Sequence, residues 1–236
     1  MKRFVLILLY CTTLTVLSAQ DLTGAWEYSE TNGDGTEIQH VQIITAEGFI
    51  SEAFFEKASG KFLGTMGGSF SIKDNLFNCT IEYASFDPEL VGTSKNLDLK
   101  IINGELYMDN KVWKRIDDGT PGALNGAWLI SGRKRDGEIV KRDTSGPRKT
   151  MKILSGTRFQ WIAYNTETKV FMGTGGGTYT TIDGKYTENI GFFSRDDSRV
   201  GASLEFNYEL MDGDWHHSGL SSKGEPIYEI WSKRKQ

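Results

Sequence analysis

The sequence predicts an all-β chain that contains two tandem copies of one unit. Most segments alternate apolar and polar residues with a period of two, and no segment keeps a helical period for long. Turns rich in Gly, Asn and Asp separate these segments, and 27 glycines against 4 prolines suit a turn-rich chain. Residues 62–108 also align without a gap with residues 171–217 of the same chain. The repeat therefore predicts two similar β domains.

The identical positions of the two copies are spread through turns and strands, which indicates common descent. The starts of the copies match at residues 22–26 and 124–128, and their ends match at residues 112–115 and 230–234. Gly and Pro lie between the copies and mark a boundary. We therefore predict domains at residues 20–116 and 124–236, joined by a linker at residues 117–123. Each copy has the usual size of one domain.

The first residues are typical of a secretory signal peptide. Lys2 and Arg3 precede an apolar run that ends near Ser18 and Ala19. The run is too short to span a bilayer comfortably, and no later segment is apolar enough for a membrane helix. We therefore predict a signal peptide at residues 1–19, cleavage near Ala19, and a secreted or periplasmic protein without a membrane span. Cys79 would then be the single remaining cysteine, which excludes an intramolecular disulfide.

The net charge argues against nucleic acid as a partner. The whole chain has a formal net charge of −4, and removal of Lys2 and Arg3 makes it more negative. An acidic protein repels a phosphate backbone overall.

The turn at Asp212 and Gly213 gives the firmest local prediction. Asp-Gly favours the two-residue hairpin that fits the twist of its strands, and Asn-Gly stands at the same place in the first copy. This turn places Tyr208 opposite His217 and Glu209 opposite His216. His216 is then a surface partner of Glu209, while His217 faces inward.

The inner faces of the two copies differ in polarity. In the first copy the alternation directs apolar residues inward; these are Phe70, Ile72, Phe77, Cys79, Ile81, Tyr83, Leu97, Leu99, Ile101, Leu106 and Met108. Their counterparts in the second copy are Tyr179, Thr181, Tyr186, Glu188, Ile190, Phe192, Phe206, Tyr208, Leu210, Trp215 and His217. Six of these positions have become polar, and each unpaired buried polar group costs about 1–3 kcal/mol. The contrast predicts a polar cavity in the second copy, with an internal hydrogen-bond network without a ligand as the alternative.

Two motifs resemble the lipocalin and wider calycin pattern. Gly-Ala-Trp opens each copy at residues 24–26 and 126–128, and Arg115 and Arg234 lie on the closing strands. The resemblance implies two up-and-down antiparallel β-barrels, each with a Trp that closes one end and an Arg stacked on it. Residues 173–180, 186–190 and 215–219 also make the chain similar to secreted lipocalin-like bacterial proteins of unassigned function. The first copy lacks the Trp-His-His motif of residues 215–217, so we expect it to be a structural partner without a site.

The second copy is predicted to bind a small polar molecule, with a sugar or uronate as the preferred class, because pockets in small barrels usually hold ligands. The candidate binding residues are Tyr179, Tyr186, Glu188, Tyr208, Trp215, His217, Trp161, Tyr164 and Arg195. One alternative is a cofactor-free glycan-active lyase or hydrolase with Glu188 and His217 as acid and base. Another is an interaction module that uses the barrel exteriors.

Metal and phosphate sites are not predicted. His216 and His217 are neighbours on a strand and point to opposite faces, so they do not readily share one ion. The glycines of residues 173–177 lack the Gly-Lys-Ser/Thr ending of a phosphate loop. We expect no cofactor.

Residues 133–152 form a basic segment in this acidic chain. It is predicted to be an early hairpin of the second domain. It either steers an anionic ligand or faces water alone.

Overall fold

The computed structural model describes residues 19–73, 76–221 and 224–236. The predicted signal peptide lies outside these residues except for Ala19, which begins the short helix α1 (Ala19–Leu22). Within the described residues, no helix is long and apolar enough to cross a membrane.

The first barrel, called barrel one, is closed and antiparallel. Its strands follow one another in sequence order, and β8 pairs with β1. They are β1 (Gly24–Thr31), β2 (Glu37–Ile44), β3 (Phe49–Glu56), β4 (Phe62–Lys73), β5 (Leu76–Ala84), β6 (Ser94–Ile102), β7 (Glu105–Met108) and β8 (Lys111–Asp117). A short 3-10 helix, Pro88–Leu90, joins β5 to β6.

The second barrel, called barrel two, closes through β9 and β17. Its strands are β9 (Gly126–Arg135), β10 (Glu138–Lys141), β11 (Arg148–Leu154), β12 (Arg158–Asn165), β13 (Phe171–Ile182), β14 (Lys185–Phe193), β15 (Ser203–Met211), β16 (Asp214–Leu220) and β17 (Pro226–Lys233), with a 3-10 helix at Asp197–Arg199. Strand β10 pairs only with β9 and forms the predicted early hairpin. The predicted all-β class and the two tandem antiparallel barrels are thus confirmed.

The predicted hairpin at Asp212 and Gly213 is also confirmed. Both residues have positive φ, of 52° and 87°, as the two-residue turn requires. Tyr208 lies opposite His217, and Glu209 lies opposite His216. The Nδ1 atom of His216 also hydrogen-bonds the hydroxyl of Tyr228 at 2.8 Å.

The predicted inner faces hold except where the strands are irregular. The register of β14 shifts beside Gly191, and as a result Phe192 points away from the barrel and stacks on Phe55 of barrel one. The same shift occurs in β5, and Tyr83 likewise lies between the barrels. Bulges of this kind reverse the alternation that follows them. Leu210, also predicted inside, is 48% exposed beside the hairpin turn.

A buried Trp closes one end of each barrel. The Nε1 atoms of Trp26 and Trp128 each donate a hydrogen bond of 2.8 Å to the carbonyl four residues earlier. The guanidinium of Arg115 lies 4.0 Å from the ring centroid of Trp26, as the family resemblance implies. In barrel two the cation over Trp128 is Lys233, at 4.5 Å, and not Arg234. Arg234 instead stacks on Phe49 of barrel one.

The two barrels pack through corresponding surfaces. Strand pairing makes Ser51 the counterpart of Gln160, and the hydroxyl of Ser51 donates to the Gln160 side-chain oxygen. The Nε2 atom of Gln160 donates to the hydroxyls of Thr65 and Thr174, which are themselves counterparts, at 2.8 and 2.9 Å. This self-complementary contact indicates an approximate two-fold axis, as in a symmetric dimer.

Asp117 fixes the linker to barrel two. Its carboxylate accepts hydrogen bonds from the backbone of Gly156 and from both the backbone and hydroxyl of Thr157. Burial raises the pKa of Asp117, but these hydrogen bonds outweigh burial and the pKa is lowered. The carboxylate therefore stays charged and holds the junction between the barrels.

Candidate functional site

Six side chains inside barrel two form what we call the barrel-two cluster: Lys152, Tyr186, Glu188, Trp215, His217 and Trp231. At its centre, Lys152 Nζ lies 2.8 Å from Glu188 Oε1, and both side chains are 7% exposed. Lys152 ends the basic segment that is predicted to steer an anionic ligand or to face water, and for this residue the second alternative is wrong. Its position opposite Trp128 on β9 explains the burial, because residues directly opposite in a sheet share a face.

Aromatic rings surround the ammonium of Lys152. Its Nζ atom lies 4.8 Å from the ring centroid of Tyr186, 4.9 Å from that of Trp215 and 5.3 Å from that of Trp231. Ring faces attract a cation, and the attraction grows when water is excluded. The rings therefore help to hold a charge that the interior of the barrel would otherwise disfavour.

His217 lies between the buried pair and a second carboxylate. Its Nδ1 atom is 3.5 Å from Glu229 Oε2, and Glu229 is also 3.4 Å from Arg133. Burial lowers the pKa of His217, and the charge of Lys152 lowers it further. His217 is therefore neutral near pH 7, with one nitrogen that donates and one that accepts.

Three polar atoms of the cluster have no hydrogen-bond partner among the described residues: the Nε1 atoms of Trp215 and Trp231 and the Nε2 atom of His217. Two more make no close hydrogen bond but face a carboxylate: the hydroxyl of Tyr186 faces Glu188, and the Nδ1 atom of His217 faces Glu229. The rings that carry them are neighbours, with centroids 5.0–5.9 Å apart. Each such atom costs about 1–3 kcal/mol when it stays unpaired. Their convergence is therefore typical of a place that binds water or a ligand.

The structure brings together four of the residues predicted for the site: Tyr186, Glu188, Trp215 and His217. Tyr208 and Trp161 are partly buried and pack against the same core. Tyr179 is buried too, but its hydroxyl donates to the carbonyl of Ser155 at 2.6 Å. That hydroxyl is engaged in the structure rather than open to a ligand.

Two predicted site residues lie elsewhere. Tyr164 points out of barrel two, because it lies three residues after Trp161 on β12 and successive residues of a strand face opposite sides. Its hydroxyl donates to Glu82 of barrel one at 2.7 Å. Arg195 is exposed and donates to the carbonyl of Met172. Neither contacts the barrel-two cluster.

Sequence reasoning missed Lys152, Glu229 and Trp231. A signal for Lys152 was present, since the repeat aligns it with Gln42, which lies opposite the Trp of barrel one. For Trp231 the signal in the sequence is its place in the matched ends of the two copies. Glu229 lies opposite His217 on β17, and this pairing depends on a strand register that no turn motif fixes.

Barrel one also has a polar interior, which differs from the expectation of a purely structural copy. The carboxylate of Glu52 bonds His40 Nδ1 at 2.9 Å and accepts from Gln42 Nε2 at 3.0 Å. Tyr28 stacks on His40 at 4.2 Å. These groups lie beside a cavity of about 120 Å³ whose other walls are mostly apolar, Cys79 among them. Burial raises the pKa of the Cys79 thiol to about 11, so it stays protonated.

Within the described residues, no three His, Cys, Asp or Glu side chains are grouped so that they could hold a metal ion. His216 and His217 lie on opposite faces of β16.

The lowered pKa of His217 predicts a pH dependence of stability. The folded chain binds a proton at His217 less readily than the unfolded chain does, whose His pKa is about 6.5. The contribution of His217 to the free energy of unfolding is complete above that pH. It falls by at most about 1.4 kcal/mol per pH unit as the pH decreases toward the pKa of His217 in the folded chain. Unfolding in urea between pH 7.5 and 5 should show this slope, and the variant His217→Gln should flatten it. Equal slopes in both proteins would contradict the burial of a neutral His217.

Comparison with known proteins gives no family for this chain. No family model matches the sequence, and no curated protein matches it significantly.

Proposed function

We propose that this chain is a secreted or periplasmic lipocalin-like protein whose barrel two binds a small polar molecule, a sugar or uronate, at the barrel-two cluster. One observation carries the proposal. Three unpartnered polar atoms, and two more that make no close hydrogen bond, converge around the buried pair of Lys152 and Glu188. A closed hydrogen-bond network would satisfy its own donors and acceptors, whereas this cluster leaves some of its donors and acceptors available to a ligand.

The chemistry of the cluster fits a polyhydroxylated ligand. Tyr186 and the two Trp residues offer donors, while neutral His217 offers both a donor and an acceptor. Burial, and then the charge of Glu188, raise the pKa of Tyr186, so its hydroxyl stays protonated. The ammonium of Lys152 adds attraction for an acidic sugar.

An enzymatic role is the second candidate, and the pair of His217 and Glu229 favours it. A neutral His beside an orienting carboxylate is the usual arrangement of a general base. In this alternative the chain is a cofactor-free glycan-active lyase or hydrolase in which Glu188 would be the acid. The 2.8 Å contact with Lys152 weakens that role, because it already engages the carboxylate in an ion pair.

A thermal-shift screen of neutral sugars and uronates on the whole mature chain tests the binding proposal. A ligand at about 100 times its dissociation constant should stabilise the protein by about 2.7 kcal/mol. The variants Tyr186→Phe and Trp231→Phe each remove one donor and keep an aromatic ring. We expect both to fold as the parent does and to bind the selected sugar about tenfold more weakly, as loss of one hydrogen bond implies.

Trp113→Phe is the matched control, since Trp113 occupies the same position as Trp231 in barrel one and also has an unpartnered Nε1 atom. This variant should leave the affinity unchanged. The proposal fails if no sugar or uronate shifts the melting temperature, or if Trp113→Phe weakens binding as much as Trp231→Phe does. Product analysis on any sugar that binds separates the two candidates, because turnover that is lost in His217→Gln identifies an enzyme.

A further inference from the structure

The approximate two-fold axis between the barrels creates two corresponding grooves, and the chain fills the centre of one of them with Arg234. The guanidinium of Arg234 lies 4.2 Å from the ring centroid of Phe49. Its Nη2 atom donates to both carboxylate oxygens of Glu82 at 2.8 Å, and its Nη1 atom donates to the hydroxyl of Tyr164 at 3.0 Å. The side chains of Arg234 and Glu82 are 10% and 14% exposed. The ion pair at the centre of this groove is thus nearly dry, while a space of about 360 Å³ remains beside it against Phe70 and Gln236.

The counterparts of these residues differ in a way that opens the other groove. Strand pairing matches Phe49 with Arg158, Glu82 with Gly191, and Tyr164 with Phe55. Ile116 follows Trp113 by three residues, as Arg234 follows Trp231, so an apolar side chain replaces the inserted arginine. Gly191 also removes a whole side chain from the wall.

The result is an open groove of about 350 Å³ between the barrels. Barrel one supplies Phe55 and Glu27 to its wall, and barrel two supplies Arg158, Gly191 and Phe192. Its volume lies in the range of about 300–1,000 Å³ that is usual for small-molecule pockets. The rings of Phe55 and Phe192 stack with centroids 5.0 Å apart and give the groove a rigid apolar surface.

The charges of the two grooves also differ. In the filled groove Arg234 and Glu82 neutralise each other. The ion pairs among residues 19–73, 76–221 and 224–236 do not include Arg158, whose Nη1 atom makes one long hydrogen bond of 3.4 Å to the hydroxyl of Thr157. Glu27, on the opposite wall, accepts a hydrogen bond from Gln39 at 3.3 Å. Neither Arg158 nor Glu27 has an ion-pair partner among these residues, and Arg158 is the cation in the wall of this groove.

We propose that the open groove is a second binding site, specific for a small organic anion with an apolar body. The anionic group pairs with Arg158 as Glu82 pairs with Arg234 on the other side. The apolar body lies against Phe55 and Phe192. A planar carboxylate suits a guanidinium, since the two make paired hydrogen bonds. This site is separate from the barrel-two cluster and does not depend on the function proposed for it.

Two matched probe pairs test this site on the whole mature chain: naphthalene-2-carboxylate with its carboxamide, and octanoate with octanamide. Calorimetry should show saturable binding of at least one carboxylate and weaker binding of its amide. The variant Arg158→Gln should weaken binding of the carboxylate at least about tenfold. Arg148→Gln, which removes an exposed arginine of β11, should leave it unchanged.

A variant that imitates the filled groove gives an independent test. Gly191→Glu introduces the residue found at position 82, and a Cβ atom there would meet its nearest neighbour at 3.4 Å, which is ordinary contact. We expect this variant to keep the melting temperature and to lose binding of the carboxylate. The proposal is overturned if neither carboxylate binds saturably, if acid and amide bind alike, or if both Arg158→Gln and Gly191→Glu bind as the parent does.

Discussion

We expect Lys152→Met to lower the free energy of unfolding by about 3–5 kcal/mol, because removal of one partner leaves the other as an uncompensated buried charge. Lys152 Nζ and Glu188 Oε1 are 2.8 Å apart, and both side chains are 7% exposed. The hydroxyl of Tyr186 is nearby, but one neutral donor replaces little of what an ammonium provides. Equilibrium unfolding in guanidinium chloride measures the loss directly.

Lys185→Met is the matched control. Lys185 Nζ lies 3.1 Å from Glu205, but these side chains are 46% and 60% exposed. Exposed ion pairs contribute about 0–1 kcal/mol, so the control should change the free energy of unfolding by no more than that. If Lys152→Met costs no more than Lys185→Met does, the pair in barrel two is not a buried one and the proposed site loses its centre.

The double variant Lys152→Met/Glu188→Leu separates stability from binding. An apolar pair of similar volume is often as stable as a buried ion pair or more stable. The double variant should therefore recover most of the stability that Lys152→Met loses. Binding of the selected sugar should not recover, since Glu188 and the ammonium are both gone. A double variant that is stable and still binds with the parent's affinity would show that the pair is structural only.

The sequence predicted the fold well because its local signals agree with one another. Alternation, the turn at Asp212 and Gly213, and the repeat all favour the same strands. The prediction of inward-facing residues failed where a local irregularity reversed the alternation of inward and outward side chains, as at Phe192 beside Gly191. A bulge depends on close contacts such as the approach of Gly191 to Gly177, and no residue pattern predicts it.

The candidate site was predicted only in part, because a lysine in a run of basic residues resembles a surface residue. Lys152 is nevertheless flanked by Met151, Ile153 and Leu154, which are all buried. One face of β11, with Lys152, lies inside barrel two, and the other face packs against barrel one with Met151 and Ile153. These two apolar residues on the outer face were the signal in the sequence that the two barrels pack together.

The ion pair of Arg234 and Glu82 is one of several polar contacts between the barrels, and Arg234→Met should reveal its contribution. Arg234 belongs to barrel two and Glu82 to barrel one, so their paired hydrogen bonds join the two barrels. Without Arg234, the carboxylate of Glu82 keeps its hydrogen bond from Tyr164 but has lost its counter-charge. We expect a loss of about 3 kcal/mol, at the lower end of the cost of breaking a buried pair.

Because this loss acts on the interface, it should reduce the coupling between the barrels as well as total stability. Calorimetric unfolding of the parent should give one transition, and Arg234→Met should give two, since each barrel has its own core. Arg115→Met is the control: its guanidinium stacks on Trp26 and donates to the carbonyl of Thr23 within barrel one. This variant should lower the first barrel's stability without separating the transitions. A single transition at the parent's temperature in Arg234→Met would mean that the apolar contacts around Tyr83 and Tyr164 hold the barrels together without the ion pair.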